Sequence, residues 1–165
     1  MAVLEELFRI LVNVETDEST ERVIFTGAND VFASGADLRE IATVAAGDAR
    51  DFALRGQRLM TRIAKLPQRT IAGINGYCFG GALDLALACD RRIASPHAKF
   101  AHPGAGLGII TGWGGTQRLP RLIGTANALE MFFAAVPIDA ERALAIGLID
   151  EIAADPLDAA LKFVG

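Results

Sequence analysis

Ile71-Ala-Gly-Ile-Asn-Gly-Tyr-Cys-Phe-Gly-Gly-Ala-Leu-Asp-Leu-Ala-Leu-Ala-Cys-Asp90 decides how the rest of the chain is read. It starts as a short apolar strand, breaks at Asn75-Gly76, and passes Gly80-Gly81 into a helix of small residues. Strand, glycine turn and helix N-terminus together aim backbone N–H groups at whatever lies beyond the strand end. One turn into the helix stands a single acid, Asp84, on a segment otherwise too apolar to face water. That combination points to a site.

Working outward, strand and helix signals alternate. Upstream, Leu4, Leu7, Phe8, Leu11 and Val14 recur at helical spacing and predict an amphipathic helix over 2–15. Val23 to Thr26 predicts a buried strand, and 29–37 a loop leading into a helix capped by Asp37. Asp48 is the expected cap of a longer helix closed by Pro67, before a strand over 70–74. Downstream of the helix from Gly81 to Cys89, short strands are predicted at 92–94 and 99–102. The run Gly104-x-Gly-x-Gly-x-x-x-Gly-x-Gly-Gly115 holds too many glycines for regular structure and suggests tight turns or close approach to a ligand. Helices follow at 114–122, at 125–135, and from a cap at Asp139 to Gly147, then a strand over 148–152 and a helix opened by Pro156. This alternation argues for an α/β fold, and no linker or repeat divides 1–165, so one domain is expected.

Composition narrows the function classes. The chain has 165 residues, 52% of them hydrophobic, with 16 basic against 20 acidic side chains and a net charge of −4. No basic block offers a nucleic-acid footprint, so no nucleic-acid partner is expected. Cys78 and Cys89 fit no metal-ligand spacing and read as buried free thiols; no metal site is expected. No uncharged apolar run reaches membrane length, and the acidic start Met1-Ala-Val-Leu-Glu-Glu6 is unlike a signal peptide. A cytoplasmic protein without a membrane partner is the expectation. The high apolar content favours a homo-oligomer that covers exposed faces.

Two loops open helices from strand ends, Ser34-Gly-Ala-Asp37 and Phe79-Gly-Gly-Ala82. Each can present an N–H from a residue beside a glycine. Two such donors converging on one carbonyl oxygen form an oxyanion hole. The alternative is that these glycines only turn the chain.

Phe32-Ala-Ser-Gly-Ala-Asp-Leu-Arg-Glu-Ile41, Asn75-Gly-Tyr-x-x-Gly-Gly-x-x-Asp-Leu-Ala-x-x-Cys-Asp90 and Gly112-Trp-Gly-Gly-Thr-Gln-Arg-Leu-Pro120 resemble the crotonase superfamily, the enoyl-CoA hydratase/isomerase group. Ala140 to Ile152 resembles it too, so the likeness covers most of the chain in order. The resemblance implies a spiral of ββα units that binds an acyl-CoA thioester, with coenzyme A as part of the substrate and no separate cofactor. It implies that the Ala36 and Gly81 N–H groups hold the thioester carbonyl while an enolate-like charge forms. Ala36, Asp37 and Leu38 would lie along the CoA nucleotide, and Gly80 and Trp113 are further expected substrate-binding positions. It also implies a trimer or a pair of trimers, a hexamer.

Departures from the family pattern shape the expected chemistry. Of the two glutamates that hydratases of this group use, the first falls on Asp84 and the second on Gly104. Misplacing a reacting group by about 1 Å can cost on the order of a hundredfold in rate. A missing acid or base costs roughly 10²–10⁴. A single carboxylate therefore favours isomerisation or proton transfer over hydration. Against the family, the chain is also expected to lack the usual N-terminal hairpin and C-terminal helices. The competing expectation is a catalytically degenerate subunit of the same fold, with a structural or acyl-CoA-binding role.

Other polar residues have plainer readings. Asp90 is expected to be structural, His97 exposed, and Gln117 and Arg118 paired. His102 either replaces the lost acid or, as the preferred reading, is a hydrogen-bonded structural histidine. Trp113 either lines the acyl pocket or packs. A serine hydrolase built on Ser34 and His102 is disfavoured, because nothing places a base beside Ser34.

Overall fold

In this computed structural model, which describes residues 2–163, the short apolar runs of the sequence form two four-stranded sheets. The first sheet is parallel throughout, in the order β1 (Arg22–Thr26), β3 (Arg69–Ile74), β5 (Arg91–Ala94), β8 (Glu151–Ile152). The second runs β2 (Val31–Ala33), β4 (Tyr77–Phe79), β6 (Lys99–Ala101), with β7 (Ile138–Asp139) antiparallel at its edge. From β1 to β6 the chain deals successive strands to alternate sheets, and helices separate the pairs. After β2 come α2 (Leu38–Thr43) and α3 (Ala49–Ile63), after β4 comes α4 (Gly81–Ala86), and after β6 come α5 (Gly115–Ile123) and α6 (Thr125–Ala134). This is the expected α/β spiral of ββα units. The remaining helices among the described residues are α1 (Ala2–Glu15), α7 (Ala140–Ala145) and α8 (Pro156–Lys162).

Residues 70–74 of β3 are buried on both faces, which is why the strand reads as a continuous apolar run rather than an alternating one. Its Thr70 closes a polar clasp: the Thr70 N–H and hydroxyl donate to the Asp90 carboxylate at 2.8 and 3.0 Å. Asp90 is structural, as expected. One contiguous core links Leu11, Leu59, Met60, Leu83, Phe100, Leu119 and Met131, while α8 packs a smaller cluster of Ile71, Ile93 and Ala160 on the far face of the first sheet. Cys78 and Cys89 are buried free thiols whose pKa values burial raises.

Several expectations shift at element ends. The three-residue strands β2 and β4 replace an expected loop and an expected glycine turn. They exist through long-range parallel pairing, Val31 with Tyr77 and Tyr77 with Lys99, which no local period announces. Asp37 and Asp139 cap their helices by accepting from the Arg39 and Arg142 N–H groups at 2.9 and 2.8 Å. Asp48 does not cap: it is the last residue of the 3-10 turn Ala46–Asp48 and makes no side-chain cap bond. The strand expected over 148–152 shrinks to β8, because the Leu148 and Ile149 N–H groups fold back onto the Ala143 carbonyl and finish α7. Within the glycine run, Pro103–Leu107 winds into a 3-10 turn whose Gly104 carbonyl accepts from the Ile109 N–H at 3.0 Å.

Candidate active site

Because β2 and β4 are parallel neighbours, the loops that leave them emerge side by side at the carboxyl end of the second sheet. Gly35 lets them touch. Its φ is +89°, and a Cβ there would stand 2.8 Å from the Phe79 carbonyl oxygen and 3.1 Å from the Gly81 nitrogen. Gly80, at φ +56°, then turns the chain into α4. The Gly81 N–H is the first of that helix and has no acceptor within it. Ala36 follows directly after Gly35, so the two N–H groups singled out in the sequence stand on abutting loops.

Asp84 lies one turn further along α4 and is 1% exposed. The Thr111 hydroxyl donates to its Oδ2, and Oδ1 has no hydrogen-bond partner among the described residues. A Cβ on Gly115 would collide with that Oδ1, so the bare glycine backbone makes room for the carboxylate. Burial raises the Asp84 pKa to about 6; the Thr111 hydroxyl, the nearby Trp113 and Gly115 amides and the Arg118 charge oppose it.

His102 directly follows β6, the strand next door. The Gly80 N–H donates to the Ala101 carbonyl at 2.9 Å, which ties the start of α4 to the residue before His102. The imidazole is 3% exposed, its Nε2 is 3.7 Å from Asp84 Oδ1, and its ring centroid is 5.2 Å from that of Phe132. Neither ring nitrogen has a hydrogen-bond partner among the described residues, so the reading of His102 as a hydrogen-bonded structural residue is corrected. Burial lowers its pKa to about 4.

These groups face one cavity of about 550 Å³. Ala36, Leu38, Gly80, Gly81, Asp84 and Trp113 all line it, and so do His102 and Gly104. Its walls are largely apolar, with Ile41, Phe52, Ile110, Phe132 and Phe133 prominent. Trp113 does both things the sequence left open: it borders the cavity, and its indole is wedged where a Cβ on either Gly56 or Gly81 would sit. Asp37 is not in the lining; its carboxylate turns to the Arg39 guanidinium at 2.9 Å and caps α2. Gly104 reaches the cavity as bare backbone, and a Cβ there would lie 2.5 Å from the Ile109 carbonyl oxygen.

Sequence reasoning missed Thr111, hidden in the glycine run with no motif to mark it, and the ring pair Phe132-Phe133. Among the described residues no group of three His, Cys, Asp or Glu side chains is arranged to hold a metal ion, and no helix is long and apolar enough to cross a membrane. His97 is exposed and sits 3.5 Å from Asp30. Gln117 pairs with Arg121 at 3.3 Å, while Arg118 reaches the Trp113 carbonyl at 3.4 Å.

A two-sheet ββα spiral with abutting glycine loops over a buried acid defines the crotonase class of fold. The sequence pattern of the enoyl-CoA hydratase/isomerase family matches residues 1–161, and the chain belongs to that family. It is 39% identical over 150 residues to the short-chain-enoyl-CoA hydratase of Clostridium acetobutylicum, a match covering 90% of this chain and 58% of that protein. It is 40% identical over 150 residues to the crotonyl-CoA hydratase of Syntrophomonas wolfei, with the same 90% and 58% coverage. The solved enoyl-CoA hydratase of Bacillus anthracis superposes with a TM-score of 0.92 at 39% identity, over 98% of this chain and 64% of that one. The chain thus spans a little under three-fifths of the length of these curated relatives.

Proposed function

We propose that this chain binds an acyl-CoA thioester and moves a proton on it through an enolate held by the Ala36 and Gly81 N–H groups. The observation that carries this reading is the contact of the two loops through Gly35, one helical turn from a buried, half-unpartnered carboxylate. A thioester oxygen seated between two fixed N–H groups gains most as negative charge develops on it, because the donors are already aimed and water is excluded. Leu38 and the backbone from Ala36 to Leu38 would run along the CoA portion, and the apolar wall with Trp113 would take the acyl chain.

Asp84 is the proton carrier. With a 3-enoyl thioester, its Oδ1 takes the proton from C2, and the C–H pair moves into the enolate. The pair then returns through the conjugated system as the same proton is delivered to C4, leaving a 2-enoyl product. Burial that lifts the carboxyl to about 6 brings its proton affinity toward the working range of a general acid/base. Taken alone, Asp84 suits isomerisation or α-proton exchange better than hydration, because Gly104 offers no second acid. The relatives named as hydratases support thioester chemistry of this type.

The same reading takes the chain as one domain, acting in the cytoplasm as a homo-oligomer, a trimer or hexamer, with coenzyme A entering only as part of the substrate. A competing reading, a degenerate subunit that keeps the fold or only binds the thioester, draws on Gly104. The test is turnover of a 3-enoyl-CoA by wild type and Asp84→Ala. Turnover that depends on Asp84 supports the proposal; binding without turnover, equal in both proteins, favours the degenerate subunit.

A further inference from the structure

We propose that His102 is the second proton-handling group of this site, so that Asp84 and His102 together also hydrate a 2-enoyl thioester. The inference rests on the thioester reading above and extends it to a second reaction.

Both ring nitrogens of His102 are buried without a partner among the described residues, as is Asp84 Oδ1, which faces Nε2 across 3.7 Å. An unpaired buried polar atom is unfavourable, and a histidine kept only for packing is normally bonded through at least one nitrogen. Three such atoms on two residues that line one cavity describe a place where something polar belongs. The separation is just beyond a direct hydrogen bond, as is common before a substrate tightens the site. Gly104, two residues further on, cannot supply the function, since even a Cβ would press on the Ile109 carbonyl. His102 brings a titratable group to the same segment. The protonation states suit the work: burial keeps the imidazole neutral above about pH 4 and the carboxyl partly protonated up to about pH 6. The Arg118 charge acts on Asp84 against the effect of burial, and the Thr111 hydroxyl holds the other carboxylate oxygen.

The step balances. Water adds its oxygen to C3 as one of its protons passes to His102 Nε2. The C2–C3 π pair moves toward the thioester oxygen, and protonated Asp84 delivers its proton to C2. The imidazolium then returns its proton to the Asp84 carboxylate. One water is consumed, and the pair ends as it began.

The experiment measures hydration of crotonyl-CoA and isomerisation of trans-3-hexenoyl-CoA by wild type, His102→Gln, His102→Asn and Asp84→Asn, with folding checked by thermal unfolding. Wild type is expected to perform both reactions. Either His102 variant is expected to lose hydration by roughly 10²-fold or more through kcat and to lose isomerisation by a clearly smaller factor, as removal of one acid/base group predicts. Asp84→Asn is expected to lose both. A His102→Gln or His102→Asn protein that hydrates like wild type overturns the inference, as does a loss that falls equally on both reactions. A wild type that isomerises without hydrating overturns it while leaving the thioester reading intact. A wild type that does neither overturns both.

Discussion

Asp84 and His102 are pushed in opposite directions by the same burial, and that opposition has a thermodynamic signature. The carboxyl titrates at 3.8 unfolded and at about 6 folded, so between those values the native state holds the extra proton and stability falls as pH rises. The imidazole titrates at 6.5 unfolded and at about 4 folded, so there the unfolded state holds the extra proton and stability rises with pH. Each displacement, at roughly 1.4 kcal/mol per pH unit, amounts to about 3 kcal/mol. In wild type the two contributions largely cancel between about pH 4 and 6. Asp84→Asn is expected to expose the His102 contribution, its stability relative to wild type climbing as pH rises across this window. His102→Gln is expected to show the reverse slope, and urea unfolding over a pH series reads both. Parallel curves for all three proteins would contradict the burial-driven titrations. At this scale the sequence was only half legible. Asp84 stood out because one acid interrupted an apolar helix, whereas His102 next to Pro103 could be raised as a replacement acid but not placed beside Asp84. Its importance comes from β6 lying beside β4, a long-range pairing that brings it 3.7 Å from Asp84.

At the scale of elements, the site depends on how closely two loops and two helices approach. Gly35→Ala places a Cβ 2.8 Å from the Phe79 carbonyl at a φ of +89°, so the loop carrying Ala36 must back away from Gly81. A displacement of about 1 Å in one N–H donor is expected to lower kcat on a 3-enoyl-CoA by on the order of a hundredfold. Steady-state kinetics check this, and unchanged kcat would show that the loop contact does not set the donor geometry. Trp113 locks α3 to α4 by filling the space over Gly56 and Gly81. Trp113→Ala is expected to destabilise by about 3–5 kcal/mol, read by denaturant unfolding, because neither glycine can fill the hole. Long helices and the buried strand β3 were legible from periodicity and apolar runs. The three-residue strands β2 and β4 were not, since three residues show no period and their pairing partners lie 46 and 22 positions away in Val31–Tyr77 and Tyr77–Lys99.

Across the whole molecule, the α/β class was legible from alternating strand and helix signals, while the spiral itself came from the family resemblance carried by the glycine-bearing motifs. What covers the surface was less so. Phe133 and Ile110 stand 77% and 67% exposed while also lining the cavity, and Val136 is 59% exposed nearby in sequence. Apolar side chains grouped at the mouth of a cavity are better covered than wet, which fits the proposed homo-oligomer. Light scattering at micromolar concentration is expected to report a trimer or hexamer, and a monomer would contradict that proposal. The chain spans 58% of the length of two curated relatives, so its own site is best tested on this chain directly.

Centrally, two backbone N–H groups hold a thioester oxygen in the proposed reaction while Asp84 carries the proton. The most direct measurement is the rate at which wild type and Asp84→Asn convert a 3-enoyl-CoA to its 2-enoyl isomer, with thioester affinity measured alongside. Wild-type turnover that falls by roughly 10²–10⁴ in Asp84→Asn, at nearly unchanged affinity, is the predicted result. Equal rates in the two proteins, or no turnover by either, would contradict it.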